Sequence, residues 1–125
     1  MEANVARYYG FFDTMYFYES NEFEFLGIKR GTRFYKPDFY LPLTDVFIEV
    51  KGWFRKVDKT KIRRFKKYFP ECFKKLRFII PDKYARSKAN GEMIAFLVDE
   101  LGIKFQDIES YEHMERFGSM IPGWE

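Results

Sequence analysis

Apolar residues recur along this chain at two different periods, and the switches between them divide it into elements. At the N-terminus, Glu2, Val5, Ala6 and Tyr9 fall at the i, i+3, i+4 and i+7 positions of one helical stripe, and Gly10 closes the segment. Glu2 therefore shares the side that carries the apolar residues. From Met15 alternation takes over. "MYFYES", "EFEFLGI" and "TRFYKPDFYLP" read as strands, with "KRGT" as a turn between the second and third. "DVFIEVKG" is a further strand, with Val46, Ile48 and Val50 on one face and Phe47, Glu49 and Lys51 on the other; Gly52 ends it.

Helical spacing returns beyond Gly52. Asp58 is placed to cap a helix running to about Phe69, with Ile62, Phe65 and Phe69 as the inner stripe and Pro70 as the stop. "LRFII" is a short buried strand ended by Pro81, and "NGEMIAFLVDELG" is a helix with Asn90 as its cap and Gly102 just past its end. The order of elements predicts an α/β (α+β) fold, a mixed sheet flanked by helices. With 125 residues and no repeat or linker, residues 1–125 are expected to form a single domain.

Composition adds two things to this picture. Aromatic residues reach 22%, with 16 Phe and 9 Tyr, more than a core this small needs, so a surplus on the surface would suggest a dimer face. Charge is unevenly spread. Residues 51–77 hold 12 Lys/Arg against Asp58 and Glu71, a balance of +10 that leaves −7 for the rest of a chain of net charge +3. Such asymmetry suits a polyanion-binding face, with a solvated basic helix as the bland alternative. Arg55, Lys56, Lys59, Arg63, Arg64 and Lys67 are the candidate DNA-binding residues, able to give salt-dependent affinity for a phosphate backbone. Trp53 and Phe54 are expected to be buried or in a dimer contact, with base stacking as the other option.

One Cys and one His exclude a disulfide and a Cys/His metal cluster, and the thiol fits a reducing compartment. No apolar run approaches a membrane span and no signal-peptide pattern opens the chain, so a soluble, cytoplasmic (intracellular) protein is expected.

The candidate chemistry lies in "YKPDFYLPLTDVFIEVKGW". Asp38 stands at the start of one predicted strand and Glu49 within the next, so neighbouring strands would let both carboxylates meet one cation. Glu49 and Lys51 leave the same face, while the alternation leaves the Val50 carbonyl available as a further oxygen ligand. Carboxylates, a carbonyl and waters suit Mg²⁺, with Mn²⁺ also possible. Lys51 beside such an ion could bond the attacking water or the phosphorane, or act as a base; the sequence leaves these roles open. An exposed acid and base paired across strands would be the plain structural alternative.

"KPDFYLP" followed by "VFIEVKGW" resembles the PD-(D/E)XK nuclease superfamily, and more narrowly the phage endonuclease I family of Holliday-junction resolvases. The narrower likeness adds "EANVARYY", "FYE" and "LGIKFQD" and extends over roughly residues 2–108. It implies a restriction-endonuclease-like core in which Asp38 and Glu49 hold the metal, Lys51 is the catalytic lysine, and Glu2 supports a second metal or positions water. Glu19 is the reserve for Glu2. The likeness also implies a homodimer, for which the aromatic hairpin at residues 16–40 could serve, acting on branched DNA. Other nucleases of the superfamily (homing, restriction-type, transposase-like or repair enzymes) and an idle DNA-binding module are the rival readings.

Overall fold

The computed structural model describes residues 1–114. Helix α1 (Glu2–Phe11) leads into strands β1 (Phe17–Tyr18), β2 (Phe23–Glu24), β3 (Phe34–Tyr35), β4 (Phe39–Leu41) and β5 (Val46–Val50). Helices α2 (Lys56–Tyr68) and α3 (Pro70–Phe73) then connect to β6 (Leu76–Ile80). Helix α4 (Lys88–Ile94) runs on as a π-helical segment to Glu100, and β7 (Ile108–Ser110) follows.

The strands form a five-stranded mixed sheet in the order β1-β4-β5-β6-β7. β4 runs antiparallel to its neighbours β1 and β5, and β5, β6 and β7 are parallel. β5 is thus the strand where the direction of pairing changes, and helices cover both of its faces. On one side Ile48 and Val50 pack with Val5, Ala6 and Tyr9 of α1. On the other, Phe47 joins Phe78, Ile62, Phe65 and Leu97. Burial on both faces explains why "VFIEV" and "LRFII" are almost wholly apolar, and it makes Glu49 the anomaly of its strand.

The alternating faces expected for β5 hold, as do the inner stripe of α2 and the strand "LRFII". The aromatic region differs from expectation. Its three long strands are reduced to pieces of two or three residues, the third splitting into β3 and β4, and β2 and β3 form a separate ribbon outside the main sheet. Left-handed backbone at Glu19, Gly27 and Gly31 breaks the ladders, and Phe23 and Phe25 turn their rings onto Phe69 at the end of α2. Packing among rings, not alternation, organises this stretch.

Two expected caps also move. Asp58 is the third residue of α2 rather than its cap; the Arg55 backbone N–H donates to Asp58 Oδ2 at 2.9 Å, as in a capping box. Helix α4 starts earlier than predicted, because Ser87 Oγ accepts from the Asn90 N–H at 3.1 Å, so Ser87 and not Asn90 is the cap. Its far end widens into the π-helical segment, with the Leu101 N–H reaching back to the Phe96 carbonyl at 3.0 Å. Gly102 follows at φ +76°, the conformation expected just past a helix end.

Phe65, wholly buried where α2 meets the sheet, anchors this scaffold. Phe65→Ala is expected to lower unfolding free energy by about 3–5 kcal/mol, and Ser87→Ala by about 1 kcal/mol, both read from urea denaturation.

Candidate metal centre

Phe39 pairs with Ile48 across β4 and β5, so the next position along that register sets Asp38 opposite Glu49. The expected meeting of the two acids follows directly from this hairpin. Asp38 is fixed on both sides: the Val50 N–H donates to its Oδ2 at 2.8 Å, and the Glu19 N–H donates to its carbonyl at 2.9 Å. Both acids are buried, Asp38 at 8% and Glu49 at 4% exposure. Glu49 Oε2 has no hydrogen-bond partner among the described residues.

Helix α1 and strand β1 bring further acids to the same place. The Tyr18 hydroxyl donates to Glu2 Oε2 at 2.6 Å, tying the start of α1 to the sheet edge. Carboxylate oxygens of Glu2, Glu19 and Asp38 lie within 4.8 Å of one another. Asp38 is therefore shared: Glu49 flanks it toward the core, and Glu2 with Glu19 flank it toward solvent. The structure gathers Glu2 and Glu19 together rather than choosing between them. Glu19 reaches the group through a left-handed turn at φ +48°, which strand-like spacing could not reveal.

Electrostatics follow from this crowding. Burial, then the neighbouring charge of Glu49, pushes the Asp38 carboxyl up to about 8. Burial also raises Glu49. Glu2 is raised by burial and by Asp38, with the Tyr18 hydrogen bond opposing. Lys51, one residue beyond β5, is anchored by its backbone N–H to the Ile79 carbonyl at 2.9 Å, and its Nζ lies 3.5 Å from Asp58 Oδ1. Asp58 is itself buried; desolvation is outweighed by the Arg55 N–H and side chain and by the charge of Lys51, which hold its carboxyl low.

Two cavities meet at this point. One, of about 270 Å³, is lined by Asp38, Glu49, Lys51 and Asp58 together with Lys36 and Lys61. The other, an open cleft of about 760 Å³, is lined by Glu2, Tyr18, Val50, Lys51, Arg55 and Asp58, with Trp53 beside them. Trp53 is 65% exposed, contrary to the expected burial, whereas Phe54 packs on Phe78 and Phe96. A chain bend after β5 turns the two neighbouring aromatics to opposite environments.

The six basic candidates are dispersed. Arg55 lines the open cleft and pairs with Asp58 at 3.3 Å. Lys56 is exposed at the start of α2, and Lys67 lies over the Tyr68 ring. Lys59 and Arg63 lie over the Phe96 ring of the π-helical segment, with Arg63 also paired to Glu100 at 2.5 Å. The Arg64 guanidinium donates to the Thr32 carbonyl. Lys36 and Lys61, which sequence reasoning did not single out, line the smaller cavity together with Lys51. Lys61 sits three residues after Asp58 on α2, so helical spacing from that acid would have found it.

Comparison with protein-family models, with curated proteins and with solved structures finds no match. The site therefore stands on its own chemistry. Buried carboxylates without a counter-charge are costly, and among the described residues Glu49 Oε2 makes no hydrogen bond, with Asp38 and the Tyr35 hydroxyl as the polar neighbours of this carboxyl. A hard divalent cation would answer the crowding of charge, for Glu2, Glu19 and Asp38 bring carboxylate oxygens close enough to share one ion, whereas Glu49, on the inner side of Asp38, lies outside that group.

Carboxyls raised on folding bind more protons in the folded than in the unfolded chain, so their contribution is greatest at acid pH and declines as pH rises. For Asp38 the window runs from about 4, its unfolded value, to about 8. In EDTA, the thermal midpoint is expected to fall as pH is raised through this window, and Asp38→Asn to flatten the fall. Added Mg²⁺ should raise the midpoint of the wild type at the alkaline end and leave that of Asp38→Asn nearly unmoved, both read by differential scanning fluorimetry.

Proposed function

We propose that this chain is a Mg²⁺-dependent endodeoxyribonuclease with a restriction-endonuclease-like core, hydrolysing phosphodiester bonds in branched DNA as a Holliday-junction resolvase. One observation carries the reading: Asp38, Glu49 and Lys51, separated along the chain, line one cavity, and among the described residues the buried Glu49 Oε2 makes no hydrogen bond. Mn²⁺ is an alternative ion for the same oxygen donors.

Mg²⁺, when bound by Asp38, Glu49, Glu2 and the Val50 carbonyl, supplies a lowered water pKa and neutralisation of charge on the phosphate. The protein's own groups do the rest. Val50 N–H fixes one Asp38 oxygen and so orients the other. Tyr18 orients Glu2 in the same way. The Lys51 ammonium, at the wall between the cavities, can donate to a scissile phosphate oxygen and stabilise charge that grows in the transition state.

The basic residues near the rim, Arg55, Lys56, Lys36 and Lys61, suit a phosphate backbone passing the cavity. Preference for a junction rests on the resemblance to the phage endonuclease I family. So does the homodimer, to which exposed Phe17, Leu26, Phe34 and Leu43 lend an apolar surface. No helix among the described residues is long and apolar enough to cross a membrane; a cytoplasmic setting completes the proposal.

The test is cleavage of a labelled immobile four-way junction and its matched linear duplex, with Mg²⁺ or EDTA. Paired nicks near the branch point, dependent on Mg²⁺ and absent from the duplex, are expected. Equal cutting of the duplex would leave a nuclease of the wider superfamily, and binding without cutting would leave an idle module. Asp38→Ala and Lys51→Ala should each lower the cleavage rate at least ~100-fold, while junction affinity measured in Ca²⁺ changes less than about threefold.

A further inference from the structure

Asp58 does two jobs with its two oxygens. Oδ2 accepts from the Arg55 backbone N–H at 2.9 Å and from Arg55 Nε at 3.3 Å, which secures the first turn of α2. Oδ1 faces the Lys51 ammonium at 3.5 Å. A helix start needs only the first of these, and an exposed acid would serve it. Here the carboxylate is buried to 5% exposure, and with Lys51 it forms the wall common to the enclosed cavity and the open cleft. Lys51 is otherwise a long flexible side chain on a chain that has just left β5, with Gly52 next to it. Four side-chain torsions would let its ammonium wander or fold onto the row of carboxylates.

We propose that Asp58 is a positioning residue that tethers the Lys51 ammonium at the junction of the two cavities and withholds it from Asp38 and Glu49. The proposal rests on the nuclease reading for what the tether achieves, and on the ion pair alone for its existence. By spanning from the start of α2 to the end of β5, the tether also links the basic helix to the acid-bearing strand. A shift of the helix would thereby move the lysine.

The experiment compares wild type with Asp58→Asn, Asp58→Ser and Asp58→Glu. Asn and Ser retain an oxygen that can accept the Arg55 N–H but remove the charge that faces Lys51; Glu retains the charge. Thermal midpoints report the cap. The tether is read by acetylation of Lys51 with sulfosuccinimidyl acetate, followed by peptide mass spectrometry. Lys51 should be acetylated several-fold faster in Asp58→Asn and Asp58→Ser than in wild type, with Asp58→Glu closer to wild type. Single-turnover junction cleavage should fall about tenfold or more in the uncharged variants and recover in part in Asp58→Glu, with junction affinity in Ca²⁺ held.

Lys51 acetylation at the wild-type rate in Asp58→Asn would overturn the tether. Cleavage that tracks the thermal midpoint across the series, rather than the charge, would overturn it equally and leave Asp58 a helix residue. A wild type that cuts neither junction nor duplex, while Lys51 acetylation still depends on Asp58, would remove the nuclease reading and leave the tether standing.

Discussion

The hydrogen bond from the Val50 amide to the Asp38 carboxylate is the contact on which the site's geometry depends. It occurs where the β4–β5 ladder stops, and it replaces a backbone acceptor with a side chain. Asp38 is thereby fixed beside Glu49, where burial and that neighbour's charge push its carboxyl up to about 8. The surrounding sheet supplies the rigidity: β5 is covered by α1 on one face and by α2 and α4 on the other, so its end cannot turn away from the core. The two acids are held side by side by apolar packing around them.

That division of labour explains the local conflict in an otherwise consistent chain. A strand whose every other residue is apolar carries one acid with an oxygen that has no hydrogen-bond partner among the described residues, in the part of the sheet where pairing changes from antiparallel to parallel. In sheets of this kind, strand ends next to a change of direction leave room for a ligand. The cavity here lies at the C-terminal end of β5, where Glu49 and Lys51 leave the sheet.

Much of this was legible from residue spacing. Period-two alternation fixed the faces of β5, and the apolar stripe of α2 fixed which way its cations point. Convergence of Asp38 with Glu49 followed from a hairpin that spans few residues. Glu2 was legible because it shares a stripe with Val5 and Tyr9. What spacing could not reveal were contacts made by departures from regular structure: the left-handed Glu19, the rings that draw Phe23 and Phe25 out of strand pairing, and the capping box that brings Asp58 to Lys51. The aromatic segment from Met15 to Pro42 reads as three strands because aromatic residues favour strands, yet over β2 and β3 ring packing on α2 competes with the ladder and wins.

The short connection between β4 and β5 has a kinetic side. Closing so small a loop carries little entropic cost, whereas pairing β5 with β6 must wait for the whole α2–α3 crossover. Asp38 and Glu49 meet across that short hairpin, whereas Asp58 reaches Lys51 only with α2 docked. The acid pair thus belongs to the most local part of the sheet, and the pairing of β5 with β6 across the α2–α3 crossover to a far less local part.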